Sequence, residues 1–401
     1  METRTALIGP IEKSWVKELA EQQLGEGAAV LRKAAVEAAC AVPEIRELAA
    51  GAYLVVEPGC IQNWEEFQKT APAYAVAADG RVWSKSCFDL QKKQWNYDHH
   101  EDVDRISTAA TCRQVFDAIV NNGLCRHLTT EEGFFRAFLH VKEPDPDVCF
   151  TACFLKNHDL LQKGEYSVKL SPLLELEDRF DRFCGVVPCK LDDVWVRKLA
   201  WVCEPYEEAR MHDQRNFAKL TGAEMADIIE EVCKRLDGFI SGRVNGMSRP
   251  LNTDYIVVGG GDRWSLVFEK GFYARVGLAN RRETLGTEGC ISVRLLSEDR
   301  WVYTLIKVSP YSGFPIEALY QIFNAAENLD ESAPYRWGGS GLGGGSPYNI
   351  GSSLAPEELE RITNAFLRTV PTTEVTPERI NLFIREDLPS LLGFSRQRQA
   401  H

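Results

Sequence analysis

The sequence predicts a two-lobed α/β protein, with an amino-terminal domain built on a parallel sheet and a smaller α+β domain at the carboxyl end. Three observations carry this. Up to about residue 250, strand-length apolar runs alternate with longer stretches of helical periodicity. After Tyr255 the strand-like runs follow one another, separated by Gly, Asp and Asn. The length, 401 residues with 44% hydrophobic, suffices for two cores. Residues 1–50 read as a helical extension, 51–250 as the parallel-sheet domain with a helical linker, and 251–401 as the α+β domain.

Taken in order, Ser14 to Leu48 is rich in Ala, Glu, Leu and Lys at helical spacing; Gly25 and Gly27 separate two helices, and Pro43 opens a third. Ala52–Val56 reads as a buried strand closed by Glu57-Pro58-Gly59. Ala73–Ala78 reads as another, with Val82 and Trp83 pairing back across Asp79-Gly80. An aspartate at the carboxyl end of such a strand is placed for a site, and Asp-Gly equally suits a plain hairpin turn. Ser107 to Val120 reads as a helix capped by Ser107 or Thr108, whose amino end offers N–H groups to an anion. Phe135–Val141 is strand-like and leads through Glu143-Pro144-Asp145-Pro146-Asp147 into an apolar helix, Val148–Leu155; either aspartate can cap it while the other points into a site.

Leu161 to Met247 is mostly helical, and the stripe Met225, Ile228, Ile229, Val232, Leu236, Ile240 marks a wall or linker between the domains. Glu175, Glu177, Asp178 and Asp181 read as a solvated acidic face. His127, His140 and His158 have no clustered partners and read as structural; His212-Asp213 is a lesser candidate. Strands at 255–258, 264–269, 290–294 and 301–306 and helices at 315–329, 356–369 and 377–392 complete the chain.

The chemistry concentrates in Trp95-Asn96-Tyr97-Asp98-His99-His100-Glu101-Asp102-Val103-Asp104-Arg105. The chain holds only seven histidines, so an adjacent pair among four acids points to a metal or phosphate site rather than a solvated turn. A formal net charge of -12 speaks against a broad grip on a nucleic acid polymer and for a small anionic substrate. No apolar run reaches the roughly 18 residues of a membrane span, and the amino terminus lacks an apolar signal core, so a cytoplasmic protein is expected. The twelve cysteines form no Cys-x-x-Cys pair and read as buried free thiols.

In the second lobe, Arg336-Trp337-Gly338-Gly339-Ser340-Gly341-Leu342-Gly343-Gly344-Gly345-Ser346 is too interrupted by bulky residues for a flexible linker and lacks the Gly-Lys-Ser/Thr of a Walker loop. It reads as an anion-binding loop through Arg336, Gly338, Gly339, Ser340, Gly344, Gly345 and Ser346.

The order strand-Asp79, then Asp98-His99-His100, then a strand turn with Asp145 and Asp147, resembles the amino-terminal domain of the DHH phosphoesterases, a superfamily that includes RecJ-type exonucleases and manganese-dependent pyrophosphatases. The resemblance covers roughly residues 50 to 165. It implies that His99 binds metal, that His100 faces the substrate phosphate, that Asp79 is the bridging carboxylate and that Asp145 or Asp147 is the last metal-binding aspartate; with Asp98 the candidate metal residues are Asp79, Asp98, His99, Asp145 and Asp147, and Arg105 is placed to balance charge. The ion implied is divalent, manganese first, with iron, zinc or magnesium as alternatives. The glycine-rich loop is similar to the loop that closes over the substrate in that superfamily, without its usual histidine. No Asp-x-Asp precedes Asp79, so these residues fill one ion's ligand set readily and a second poorly. The expected activity is metal-dependent hydrolysis of a small phosphoester or nucleotide-like substrate in a cleft between two domains, with a homodimer allowed. A metalloenzyme for a non-phosphate bond and a non-catalytic binding protein are the alternatives.

Overall fold

Short apolar runs bounded by turn residues become the strands of a mixed sheet in the first compact unit, which extends to Gly185 and resumes over Cys189–Leu251. The structure is a computed structural model describing residues 43–398 except 212–219, 245, 282–285, 298, 331–334 and 348–349. The amino-terminal helices expected up to residue 42, and His212-Asp213, lie outside the described residues.

β1 (Glu44–Ala49) and β2 (Ala52–Val56) form an antiparallel hairpin. The helix expected to open at Pro43 is therefore replaced by a strand: its residues alternate between half-buried and exposed, and pairing with β2 overrides a helix-favouring composition. β3 (Gln62–Asn63) leads into α1 (Trp64–Thr70), capped by the Asn63 side chain. β4 (Ala75–Ala78) is wholly buried. β5 (Val82–Trp83) pairs in parallel with β3 instead of folding back on β4. Asp79 and Gly80 both take left-handed backbone, φ +50° and +68°, and turn the chain out of the sheet.

β6 (Cys87–Asp89), β7 (Gln94–Tyr97), α2 (Thr111–Val120), α3 (Leu124–His127) and β8 (Ala137–Val141) follow. The sheet order is β1-β2-β8-β4-β7-β6, with β2, β8, β4 and β7 parallel and an antiparallel strand at each edge. β8, the last of these strands in sequence, is thus a central one. β2 and β4 read as continuous apolar runs, as strands covered on both faces do.

α4 (Pro146–Lys156) is buried at every residue from Asp147 to Leu155, as its apolar sequence demands. α5 (His158–Leu161), α6 (Glu165–Arg182), α7 (Val194–Val202), α8 (Glu204–Met211) and α9 (Gly222–Ile240) complete the unit. α9 starts with a Thr221–Glu224 capping box. Its stripe of Met225, Ile229, Val232, Leu236 and Ile240 is buried, and the helix packs on β1, β2 and α4; it belongs to this unit's core.

The second unit comprises the residues from Asn252 onward with Val186–Pro188. Its elements are β9 (Tyr255–Gly261), β10 (Trp264–Glu269), α10 (Ala274–Asn280), β11 (Gly289–Ser297), β12 (Arg300–Lys307), α11 (Ile316–Glu327), β13 (Gly338–Gly339), β14 (Gly343–Gly345), α12 (Pro356–Thr369), α13 (Pro377–Glu386) and α14 (Leu388–Arg398). The sheet order is β13-β14-β12-β11-β10-β9, antiparallel except for β10 beside β11. Leu266, Ile291, Leu305, Phe323, Leu359 and Phe366 lie in its core. Both units are mixed α/β. Among the described residues no helix is long and apolar enough to cross a membrane.

Candidate metal centre

Parallel pairing places the carboxyl ends of β2, β8, β4 and β7 along one edge of the first sheet. β4 ends at Asp79, β7 at Asp98-His99-His100, and β8 at Lys142 and the turn to Asp147. α6 adds Asp181. Three sets of side chains there bring their ligand atoms within 4.8 Å of one another: Asp79, His99, Asp147 and Asp181; Asp79, Glu143 and Asp145; and Asp79, His99 and His100. Asp79 is common to all three. His99 Nε2 stands 2.7 Å from Asp181 Oδ2, 3.4 Å from Asp79 Oδ1 and 3.7 Å from Asp147 Oδ2.

Local structure explains how each group is aimed. Asp145 caps α4, accepting from Val148 N at 2.8 Å. Asp147, two residues on, accepts from Thr111 N and Cys112 N at the start of α2. That amino end was expected to be capped by Ser107 or Thr108 and to receive an external anion. It begins later, at Thr111, without a side-chain cap, and the anions it receives are the protein's own: Asp147, and Asp178 through Ala110 N.

Asp98, expected as a ligand, belongs to none of the three sets. Its carboxylate accepts from Gly80 N, His100 N and Glu101 N and lies 2.9 Å from His100 Nδ1. It shapes the turn that presents the histidines. His99 is fully buried, whereas the His100 side chain is 36% exposed. Arg105 is buried, with Nη2 3.2 Å from His99 Nε2 and donating to Asp181 O at 3.2 Å. It braces the ligands from inside the protein.

Asp181 was assigned from sequence to a solvated face, together with Glu177 and Asp178. Glu177 and Asp178 are buried, and Asp181 joins the cluster. The signal was the phase of the helix. Buried Leu170, Leu173 and Leu174 are followed at three- and four-residue steps by Glu177, Asp178 and Asp181, so the acids continue the inward stripe. Glu143 was the other ligand-type residue not singled out; it lies in the β8–α4 turn.

Crowded carboxylates cannot all ionise. Burial and the neighbouring Asp79 push Asp145 well above the usual carboxyl range, and burial with Asp181 and Asp79 pushes Asp147 up to about 8. Burial opposes charge on His99, yet Asp181 and Asp79 outweigh it and Arg105 and move the imidazole up to about 10. Burial likewise opposes charge on Asp79 and Asp181, but the two histidines hold Asp79 well below the ordinary range, and His99 and Arg105 hold Asp181 down. Without an ion, protons on Asp145, Asp147 and His99 offset the negative charge.

The residues fit a divalent cation. Asp79 Oδ1 and Asp181 Oδ2 are buried with no well-directed hydrogen bond, although each lies close to His99 Nε2. Imidazole and carboxylate, without thiolate, suit manganese, iron, zinc or magnesium.

The glycine-rich stretch belongs to the second unit, whereas the ligands belong to the first. It forms the β13–β14 hairpin at a sheet edge. Ser340 Oγ accepts from Leu342 N and Gly343 N, and Ser346 Oγ accepts from Tyr303 N, so both hydroxyls serve the hairpin itself. A Cβ on Gly344 would stand 2.2 Å from Gly338 O and 2.3 Å from Tyr320 Oη. Gly339 has φ +141°, Gly338 pairs with Gly345, and Arg336 precedes the hairpin.

No family model, no curated protein and no solved structure matches this chain.

Proposed function

We propose that the protein is a metal-dependent hydrolase of small phosphoesters or phosphoanhydrides, of the kind its Asp98-His99-His100 motif resembles in the DHH phosphoesterases. The observation that carries this is the position of Asp79. It belongs at once to a set with His99, Asp147 and Asp181 and to a set with Glu143 and Asp145, so one carboxylate is shared between two ligand groups. Two divalent ions, manganese before iron, zinc or magnesium, are the occupants such a pair of sets suits. When bound, they supply an acidified water and a positive charge for the scissile group.

The protein's own residues do the rest. His100 is the exposed member of the histidine pair. Asp98 holds its Nδ1, so Nε2 is the atom that faces the substrate, as anion holder or proton donor to the leaving oxygen. Arg105 keeps His99 and Asp181 in place and balances their charge. Asp98 fixes the turn through three backbone N–H groups.

The test is elemental analysis of protein loaded in turn with manganese, iron, zinc and magnesium and then desalted, beside release of inorganic phosphate from nucleotides and from p-nitrophenyl phosphate. Near-stoichiometric metal that falls in both His99→Ala and Asp145→Ala, with hydrolysis lost in His100→Ala, is the expected result. Metal without turnover would leave a binding protein, and protein that takes up none of the four ions would end the hydrolase reading.

A further inference from the structure

We infer that Lys142 is a second anion-binding side chain beside His100, and that together they select a terminal phosphoryl group over a phosphodiester. This rests on the metallohydrolase reading and extends it to the kind of phosphate taken.

The geometry is centred on Gly80. A Cβ built there would lie 2.7 Å from Lys142 Nζ and 3.7 Å from His100 Nδ1, so the lysine ammonium and the histidine ring both lie beside the turn after β4. Gly80 needs to be glycine on two counts: its φ is +68°, and any side chain would displace the ammonium. Lys142 leaves the end of β8 as Asp79 leaves the end of β4, and the two strands are paired neighbours. Its Nζ is 3.3 Å from Glu143 Oε1, a member of the all-carboxylate set.

Exposure then separates the roles. His99, Asp79 and Asp147 are sealed, whereas the side chains of His100, Glu143 and Lys142 are 36%, 17% and 14% exposed. A phosphoryl group held by His100 has the Lys142 ammonium near the same turn, more exposed than Asp79 and Asp147. A diester phosphate has two non-bridging oxygens that share one negative charge. A terminal phosphoryl group has three that share up to two, and an ammonium next to an imidazole is a partner for the additional oxygen and charge.

The test uses full-length protein loaded with manganese and inorganic phosphate as probe, with affinity measured by calorimetry and metal by elemental analysis. For Lys142→Met, metal content stays at the wild-type value and phosphate affinity falls about tenfold or more, the loss of one charge-assisted contact. Lys142→Arg recovers most of it. Where turnover is measurable, KM for p-nitrophenyl phosphate rises in Lys142→Met, while KM for bis(p-nitrophenyl) phosphate does not. Unchanged phosphate affinity in Lys142→Met with full metal, or metal-loaded wild type that binds no phosphate, would overturn the assignment and leave the metal centre standing. Wild type that takes up no metal would instead remove the hydrolase reading, and this one with it. Should Lys142→Met fail to fold, Lys142→Gln and Lys142→Arg carry the same comparison.

Discussion

Replacing Asp181 separates a surface acid from a metal ligand. A solvated acid on a helix face changes stability by less than about 0.5 kcal/mol when removed. Asp181 instead stands 2.7 Å from His99 Nε2, with its side chain 27% exposed and the imidazole fully buried. Breaking a buried ion pair costs about 3–5 kcal/mol. Partial exposure weakens the pair, and losing Asp181 also relieves its repulsion of Asp147 and Glu177. The net expectation for Asp181→Ala in chelated protein at neutral pH is a loss of about 2 kcal/mol. At ~2–4 °C per kcal/mol for a domain of this size, the melting temperature falls by roughly 4–8 °C. Metal content should fall by one ion in Asp181→Ala and by the other in Asp145→Ala, since each belongs to one set and Asp79 to both. Differential scanning fluorimetry in EDTA, beside elemental analysis of desalted protein, reads both. A melting temperature unmoved by more than about 1 °C, with full metal content, would refute the placement of Asp181.

Three further expectations follow from the same geometry. Asp98→Ala strands the N–H groups of Gly80, His100 and Glu101 and should cost about 3 kcal/mol in urea unfolding; Asp98→Asn, which keeps an acceptor, should cost less. Chelated protein should lose stability as pH rises from about 6.5 to 10. The His99 pKa is raised to about 10, so its contribution is complete below the unfolded value and gone above the folded one; Asp147, raised to about 8, binds its proton in the folded state and adds to the decline until it ionises. Thermal melts across that range check this, and a flat profile would contradict the protonated cluster. Gly344→Ala should destabilise the second unit by about 2 kcal/mol, because its Cβ meets Gly338 O and Tyr320 Oη; a flexible linker would tolerate it, and a melting scan distinguishes the two.

Elements with a strong local signal were legible in the sequence. The strands Ala52–Val56 and Phe135–Val141 and the helix after Asp145 are apolar runs bounded by turn residues, and the structure forms them within a few residues of the expected limits. What local pattern could not supply was strand order. Asp145 and Asp147 reach Asp79 because β8 lies beside β4. That adjacency is a long-range property with no trace in residue spacing. Asp181 was missed for a different reason: composition marked the helix face as polar, while its phase marked it as buried. Glu44–Ala49 failed because pairing with β2 outweighed propensity.

The late entry of β8 has a consequence for how the chain matures. β2 and β4 are made well before the strand that separates them, so their inner edges stay unpaired while residues 79 to 136 are synthesised. Closing that gap depends on contacts between distant parts of the chain, which form slowly. Asp79 meets Asp145 and Asp147 only after the gap closes, and Asp181 only when α6 has followed. A truncated or misregistered chain therefore holds scattered acids with weak claim on any ion, and metal uptake, if measured as proposed, would report completed folding, withheld until the sheet is whole.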